Sequence, residues 1–477
     1  MSSIDYIALD TATKQLITTD QAWHYRIVPK KYKGSTLELY IDKDCYSEDI
    51  ENELEVLTGM EIVLEKIDGN IIEKSLNTYY LKKENRKDLL FSKKIEVNSD
   101  DFVIHLIGEA KDLRCSDIHI EVYDEQCRIR FRLDGQLIER HLIKKEEYPS
   151  LINKIKILSH LDIAEKRLPQ DGRIFYKVSG GQFDIRVSVL PTLHGEKIVL
   201  RILGSDASDI DIKGLGFSAQ DLANYLEGVR KPNGIILISG PTGSGKTTTL
   251  YATLKLLNET TKNIITIEDP IEYTLKGINQ VQLKENIGLN FSAALRTFLR
   301  QDPDIIMVGE IRDVETANMA IRAALTGHLV LSTIHTNSAW GTISRLVDMK
   351  IPSYLLANTL NVSVAQRLIR LLCPHCKRQE PFSMLKLPKN YNTRTEVAEQ
   401  QIAVGCDKCY HTGYRGRKAI YEVIPVDGVI SQKIKNNEYD ILSVLKEKKI
   451  KTLAENAFDL FRIGDTSFEE IYPLLMQ

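Results

Sequence analysis

Residues 240–248 read Gly-Pro-Thr-Gly-Ser-Gly-Lys-Thr-Thr, and no other stretch of the chain restricts its fold as much. Gly240, Gly245, Lys246 and Thr247 complete the spacing G-x-x-x-x-G-K-[ST]. Glycines let the backbone wrap closely, so successive N–H groups can turn toward one anion. The apolar run Gly234–Ser239 before the loop predicts a strand, and Thr247–Asn258 after it predicts a helix whose positive end faces the same anion. Gly240, Pro241, Thr242, Gly243, Ser244, Gly245, Lys246, Thr247 and Thr248 are therefore the candidate triphosphate-binding residues. In such a loop the lysine reaches the β- and γ-phosphates and the Thr247 hydroxyl ligates Mg²⁺.

A loop of this kind needs a mostly parallel sheet behind it, and the sequence supplies one. Apolar runs at 234–239, 263–267, 304–308 and 328–332 alternate with helical segments, the pattern of an α/β domain whose strands are covered on both faces. Ligands gather at the carboxyl ends of such strands. The second run ends in Glu268-Asp-Pro-Ile-Glu272 and the third in Gly309-Glu310-Ile-Arg-Asp313. Hydrolysis needs an acidic group near Mg²⁺ and a carboxylate to orient water. Glu310 is assigned to Mg²⁺ or its water shell, with a share in positioning the nucleophile, while Glu268 and Glu272 are both candidates for polarising the water. His335, just past the fourth run, can contact the γ-phosphate or sense its loss; His328 is a weaker candidate for the same task.

The 477-residue chain has room for about three domains. Residues 1–90 read as a small α+β module, with strands at Leu37–Ile41 and Ile62–Leu64 and a helix over 47–57 capped by Ser47. Polar residues 82–88 read as a linker. Residues 98–208 read as a second α+β domain: a helix opens at Phe102, period-two strands lie at Asp117–Glu121 and Arg128–Leu133, and Asp134-Gly135 signals a hairpin. The α/β domain occupies 212–477. Lys and Arg total 63 against 65 Asp and Glu, a net charge of −2, which argues against a nucleic-acid partner. The N-terminus lacks the basic and apolar segments of a signal peptide, and no run approaches ~18 apolar residues, so no transmembrane helix is expected. Seven cysteines include Cys373-x-x-Cys376 and Cys406-x-x-Cys409, separated by 29 intervening residues. Two such pairs suit a tetrahedral structural Zn²⁺, within an arm spanning 370–412; His375 and His411 are spare donors.

Together these residues resemble the secretion-superfamily ATPases of type II secretion and type IV pilus assembly, over about residues 100–477. Ser116-Asp-Ile-His-Ile-Glu121, Arg167-Leu-Pro-Gln-Asp-Gly-Arg173, Arg186-Val-Ser, His194-Gly-Glu-Lys and Leu200-Arg-Ile are similar to that family's second N-terminal domain. Ile267–Glu272 looks like its aspartate box, Leu299–Asp304 leads into its Walker B region, and Thr326–His335 looks like its histidine box. The resemblance implies a RecA-like ATPase core with a preceding α+β domain, a small N-terminal module and a zinc-binding arm. It further implies ATP, Mg²⁺ and Zn²⁺ as cofactors and a homohexameric ring. In that ring Arg186 and Arg201 approach the phosphates from the preceding domain, and Arg296 and Arg300 lie near the ring interface. The implied place is cytoplasmic, docked through partner proteins on an inner-membrane platform. The segment before residue 100 is short for such a protein and shows no leucine-and-glycine repeat of the kind that binds cyclic di-GMP in some relatives.

Overall fold

A computed structural model describes residues 7, 9, 13, 16–33, 36–80, 102–178, 181–203, 211–388, 391, 393, 395–438 and 440–476. The expected linker at 82–88 lies outside them. The chain forms two compact units, one of residues 1–102 with 139–147 and one of 103–138 with 148–477.

In the first unit, Ile27–Lys33 pairs antiparallel with Thr36–Asp42, which pairs in parallel with Glu61–Ile67. A parallel pair needs a crossover, and the helix Glu48–Thr58 provides it. Leu37, Leu39 and Ile41 alternate into a core with Leu54, Ile62 and Ile72, all buried. Ser47 holds the extended backbone of an N-cap, but its side chain makes no capping bond, contrary to expectation. Burial of Leu54, with Gly59 in the left-handed region at the other end, fixes this helix instead.

The second unit carries two sheets. The smaller has the order Gln136–Ile143, Cys127–Leu133, Asp117–Val122, Gly195–Leu203, Gly181–Thr192, Gln170–Val178; its first strand runs out of this unit beyond Ile138. Asp134 and Gly135 both have positive φ, at 48° and 87°, the conformation a two-residue hairpin turn demands. Glu121 lies among three cations: Arg130 Nε and Nη2 at 2.8 Å each, Lys197 Nζ at 3.0 Å and Arg128 Nε at 3.1 Å. Burial raises the Glu121 carboxyl, but hydrogen bonds and charge from Arg130 and Lys197 outweigh it and hold the group at about 2.

The larger sheet has the order Asn279–Gln282, Ile264–Glu268, Ile305–Val308, Leu329–Ile334, Gly234–Ser239, Leu360–Leu372, Tyr414–Pro425. All neighbours are parallel except the last pair. Alternate residues serve opposite cores. Ile235, Leu237, Ile306, Val308 and Val330 pack on one face, and Ile236, Ile238, Ile305, Met307 and Leu331 on the other. The unbroken apolar runs follow from that two-sided burial.

Candidate active site

Register brings the motif residues to one edge of the sheet. Ser239 pairs with Ile334, Val308 with Ser332, and Ile267 with Val308. Gly240, Gly309 and His335 each follow the end of their strand, so the phosphate loop, both acidic clusters and the histidine segment emerge at the same edge. The helix Lys246–Leu257 starts from Gly245, whose φ of 89° only glycine adopts without strain. Any Cβ at Gly240 would lie 2.6 Å from both Gln366 O and Ser244 Oγ. The loop is therefore closely backed.

Lys246 is buried, and its Nζ donates to Gly240 O at 2.8 Å and Pro241 O at 3.0 Å. Burial first, and Arg367 second, lower its proton affinity, while Glu310 opposes them. A triphosphate would supply the negative charge that this ammonium lacks. The Ser244 hydroxyl is buried with no hydrogen-bond partner among the described residues, and Thr247 faces outward. Both fit a loop shaped for an anion.

The carboxylates differ in environment. Glu310 stands between an imidazole and a guanidinium: His335 Nε2 lies 3.3 Å from one oxygen, and Arg312 pairs with the other. Arg312 also reaches Asp269 at 3.7 Å. Thr333 Oγ1 donates to Gly309 O at 2.8 Å and Ile311 N to Thr333 O at 2.9 Å, pinning the acidic turn to the strand that leads to His335. Glu272 is more open and lies 3.6 Å from Arg186 Nη2, which also donates to Ile271 O at 2.5 Å. Glu268 is only 3% exposed. Its carboxylate accepts from the Tyr251 hydroxyl, from Thr266 Oγ1 at 2.6 Å and from Gln280 Nε2 at 3.0 Å. Those three bonds commit it to the base of the site.

Other predicted residues sit apart from this group. Arg201 pairs with Asp117 at 3.0 Å across its own sheet. Arg296 pairs with Glu315, and Arg300 Nη1 donates to Arg296 O at 3.1 Å. His328 Nδ1 lies 2.9 Å from Ala323 O and closes a helix end. Sequence reading assigned no role to Tyr251, Arg312, Gln366 or Arg367. The last two had a visible signal, since they interrupt an apolar strand.

Cys373, Cys376, Cys406 and Cys409 hold their sulfurs within 4.8 Å of one another. Three of the separations are 3.9, 3.8 and 3.8 Å. A tetrahedron of ~2.3 Å Zn–S bonds has edges of about 3.8 Å, so the set fits zinc. Gly405 N, Cys406 N and Gly413 N point at the sulfurs from 3.3, 3.2 and 3.3 Å, as thiolates require. His411 is turned to Asp407 at 3.1 Å, not to the cluster.

Residues 97–473 match the family of type II/IV secretion system proteins. The chain belongs to that family. It is 44% identical over 370 residues to the type II secretion system ATPase E of Vibrio cholerae, covering 77% of this chain and 73% of that protein. It is 43% identical over 442 residues to the type IV pilus assembly ATPase PilB of Myxococcus xanthus, covering 86% and 77%. Among solved structures it is similar to the pilus retraction motor PilT with bound ADP, at 28% identity and a TM-score of 0.53, covering 78% of this chain and 96% of that one. The ATPase DotB of Legionella pneumophila shares the fold, at a TM-score of 0.59 over 79% and 96% of the chains. This secretion-family member is thus an ATPase with an α/β ATPase fold.

Proposed function

We propose that the chain is an ATP-hydrolysing homohexameric motor that drives pseudopilus assembly for type II protein secretion, from the cytoplasmic face of the inner membrane. Type IV pilus extension or a DNA-uptake pseudopilus is the alternative use of the same motor. The observation that carries the reading is the meeting of Lys246, Glu310 and His335 at one sheet edge; the names of the relatives supply the direction of the work. The domain division follows the sequence reading, with 98–208 closing on the ATPase domain 212–477.

The loop amides and Lys246 bind the triphosphate. Magnesium, when bound, neutralises charge between the β- and γ-phosphates; Thr247 and Glu310 are the residues that would hold it or its waters. Glu272 is the better placed carboxylate for orienting water, and Glu268 holds the strand end from which it hangs. His335 reports the γ-phosphate through Glu310. Arg186 bridges from the preceding domain onto the Glu272 segment, and with Arg201 brings positive charge when the domains close. A cavity of about 800 Å³ is lined by Leu133, Asp134, Leu368 and Arg370 together with Lys408, Cys409 and Tyr410 of the cysteine arm, and a Cβ on Gly245 of the loop would lie 4.0 Å from Leu368 Cδ1. Its size suits a nucleoside, and we assign it to the base and ribose. Among the described residues no helix is long and apolar enough to cross a membrane; we assign attachment to partner proteins from the secretion and pilus systems named for the relatives.

Purified full chain with Mg·ATP tests the motor. The expected result is a six-subunit particle and a per-subunit hydrolysis rate that rises with protein concentration. Arg186→Ala is expected to lower that rate at least tenfold, the order of effect seen for charge-stabilising groups, while the particle persists. Stimulation by duplex DNA, or no particle larger than a monomer under any nucleotide condition, would overturn the reading.

A further inference from the structure

Strand Leu360–Leu372 lies beside the phosphate-loop strand and carries Gln366 and Arg367, only 2% and 8% exposed. Two adjacent polar residues in a buried strand are costly unless their bonds do specific work. Arg367 makes no carboxylate ion pair among the described residues. Its Nη1 donates to Gln366 O at 3.0 Å, and its Nη2 to Asn337 O at 3.0 Å and Asn337 Oδ1 at 3.4 Å. Glu422, a buried carboxyl whose charge acts on it, accepts from the amides of Ala339 and Leu453. The same guanidinium backs the phosphate loop, since a Cβ at Gly240 would lie 3.2 Å from its Nη1. Gln366 does the matching work on the other side. Its Oε1 accepts from Thr249 Oγ1 at 2.9 Å, and its Nε2 lies 2.8 Å from where a Cβ on Gly245 would be.

These contacts form a staple. Arg367 backs the first glycine of the phosphate loop and bonds to the backbone two residues beyond His335. Gln366 touches the last glycine and the first turn of the following helix. We propose that Arg367 is a positioning residue for hydrolysis, fixing the distance between the histidine segment and the phosphate loop so that occupancy of the γ-phosphate position is felt by both, while Gln366 braces the far end of the loop for any bound nucleotide. The proposal rests on the ATPase reading above. A planar fork is required, because one group must donate in two directions.

The test measures ATP and ADP affinity, with hydrolysis suppressed by omitting Mg²⁺, and separately measures turnover with Mg²⁺. Arg367→Gln and Arg367→Lys are both expected to weaken ATP binding about fivefold and to leave ADP binding within about twofold, the range expected for residues along a coupling path. In a His335→Ala background the same substitutions are expected to add less than about twofold, because both act through one segment. Gln366→Leu is expected to weaken both nucleotides together. Equal loss of ATP and ADP in the Arg367 variants, full rescue by lysine, or losses that multiply with His335→Ala would each overturn the proposal. Thermal unfolding checks that each variant is folded, and the lysine variant keeps the charge should glutamine not fold. Absence of turnover in the unmodified protein would count against the ATPase reading, while the affinities still decide the positioning role.

Discussion

Glu268 and Glu272 stand four residues apart and face different physics. Glu268 is buried and satisfied by Tyr251, Thr266 and Gln280, so its loss leaves donors unpaired inside the protein. Glu268→Ala is expected to lower stability by about 1–3 kcal/mol, read by denaturant unfolding. Glu272→Gln is expected to leave stability nearly unchanged and to reduce turnover. A destabilised Glu272→Gln with normal turnover would reverse the two roles. Glu121 supplies a pH signature. Its folded value of about 2 lies below the ordinary 4.5, so it contributes stability above about pH 4.5 that is lost as pH falls toward 2. Unfolding measured from pH 6 to pH 3 is expected to show a steeper loss in the unmodified protein than in Glu121→Gln. Equal slopes would show that the surrounding cations do not act through this carboxylate.

At the scale of elements, the strands of the α/β domain were legible because burial on both faces writes them as unbroken apolar runs. The sequence places strands at 263–267 and 328–332, and the sheet has them at Ile264–Glu268 and Leu329–Ile334. The hairpin at Asp134-Gly135 was legible because both turn residues must take positive φ. Ser47 was not, since a serine at an N-cap position can hold the backbone without bonding to it. Which acid stays open and which is tied down was also hidden, because Tyr251 and Gln280 reach Glu268 from a different helix and strand. The arm at 370–412 is held to the rest by backbone bonds from Leu372 N to Asp465 O at 2.8 Å and from Cys373 N to Gly413 O at 2.9 Å. Four thiolates would leave no open coordination position, so a zinc ion held there would be structural. Chelation, or Cys409→Ser, is expected to release one zinc per chain and lower the melting temperature by roughly 4–8 °C, corresponding to about 2 kcal/mol in a domain of this size. Unchanged melting after complete zinc loss would contradict that role.

For the whole molecule, function depends on a loop that grips a triphosphate and a carboxylate on a neighbouring strand end that acts when the γ-phosphate is present. A nucleic-acid remodelling NTPase, the remoter reading of such a loop, is disfavoured by the charge balance of −2, and the family match leaves a secretion or pilus ATPase as the frame in which these parts work. Single-turnover hydrolysis with γ-labelled ATP tests the centre of this account most directly, comparing the unmodified chain with Glu310→Gln. The unmodified chain is expected to release labelled phosphate. Glu310→Gln is expected to retain bound ATP and release phosphate at least a hundredfold more slowly, on the scale of losing one charge-positioning group. Release at the same rate from both proteins would show that Glu310 and the edge it occupies are not the hydrolytic centre.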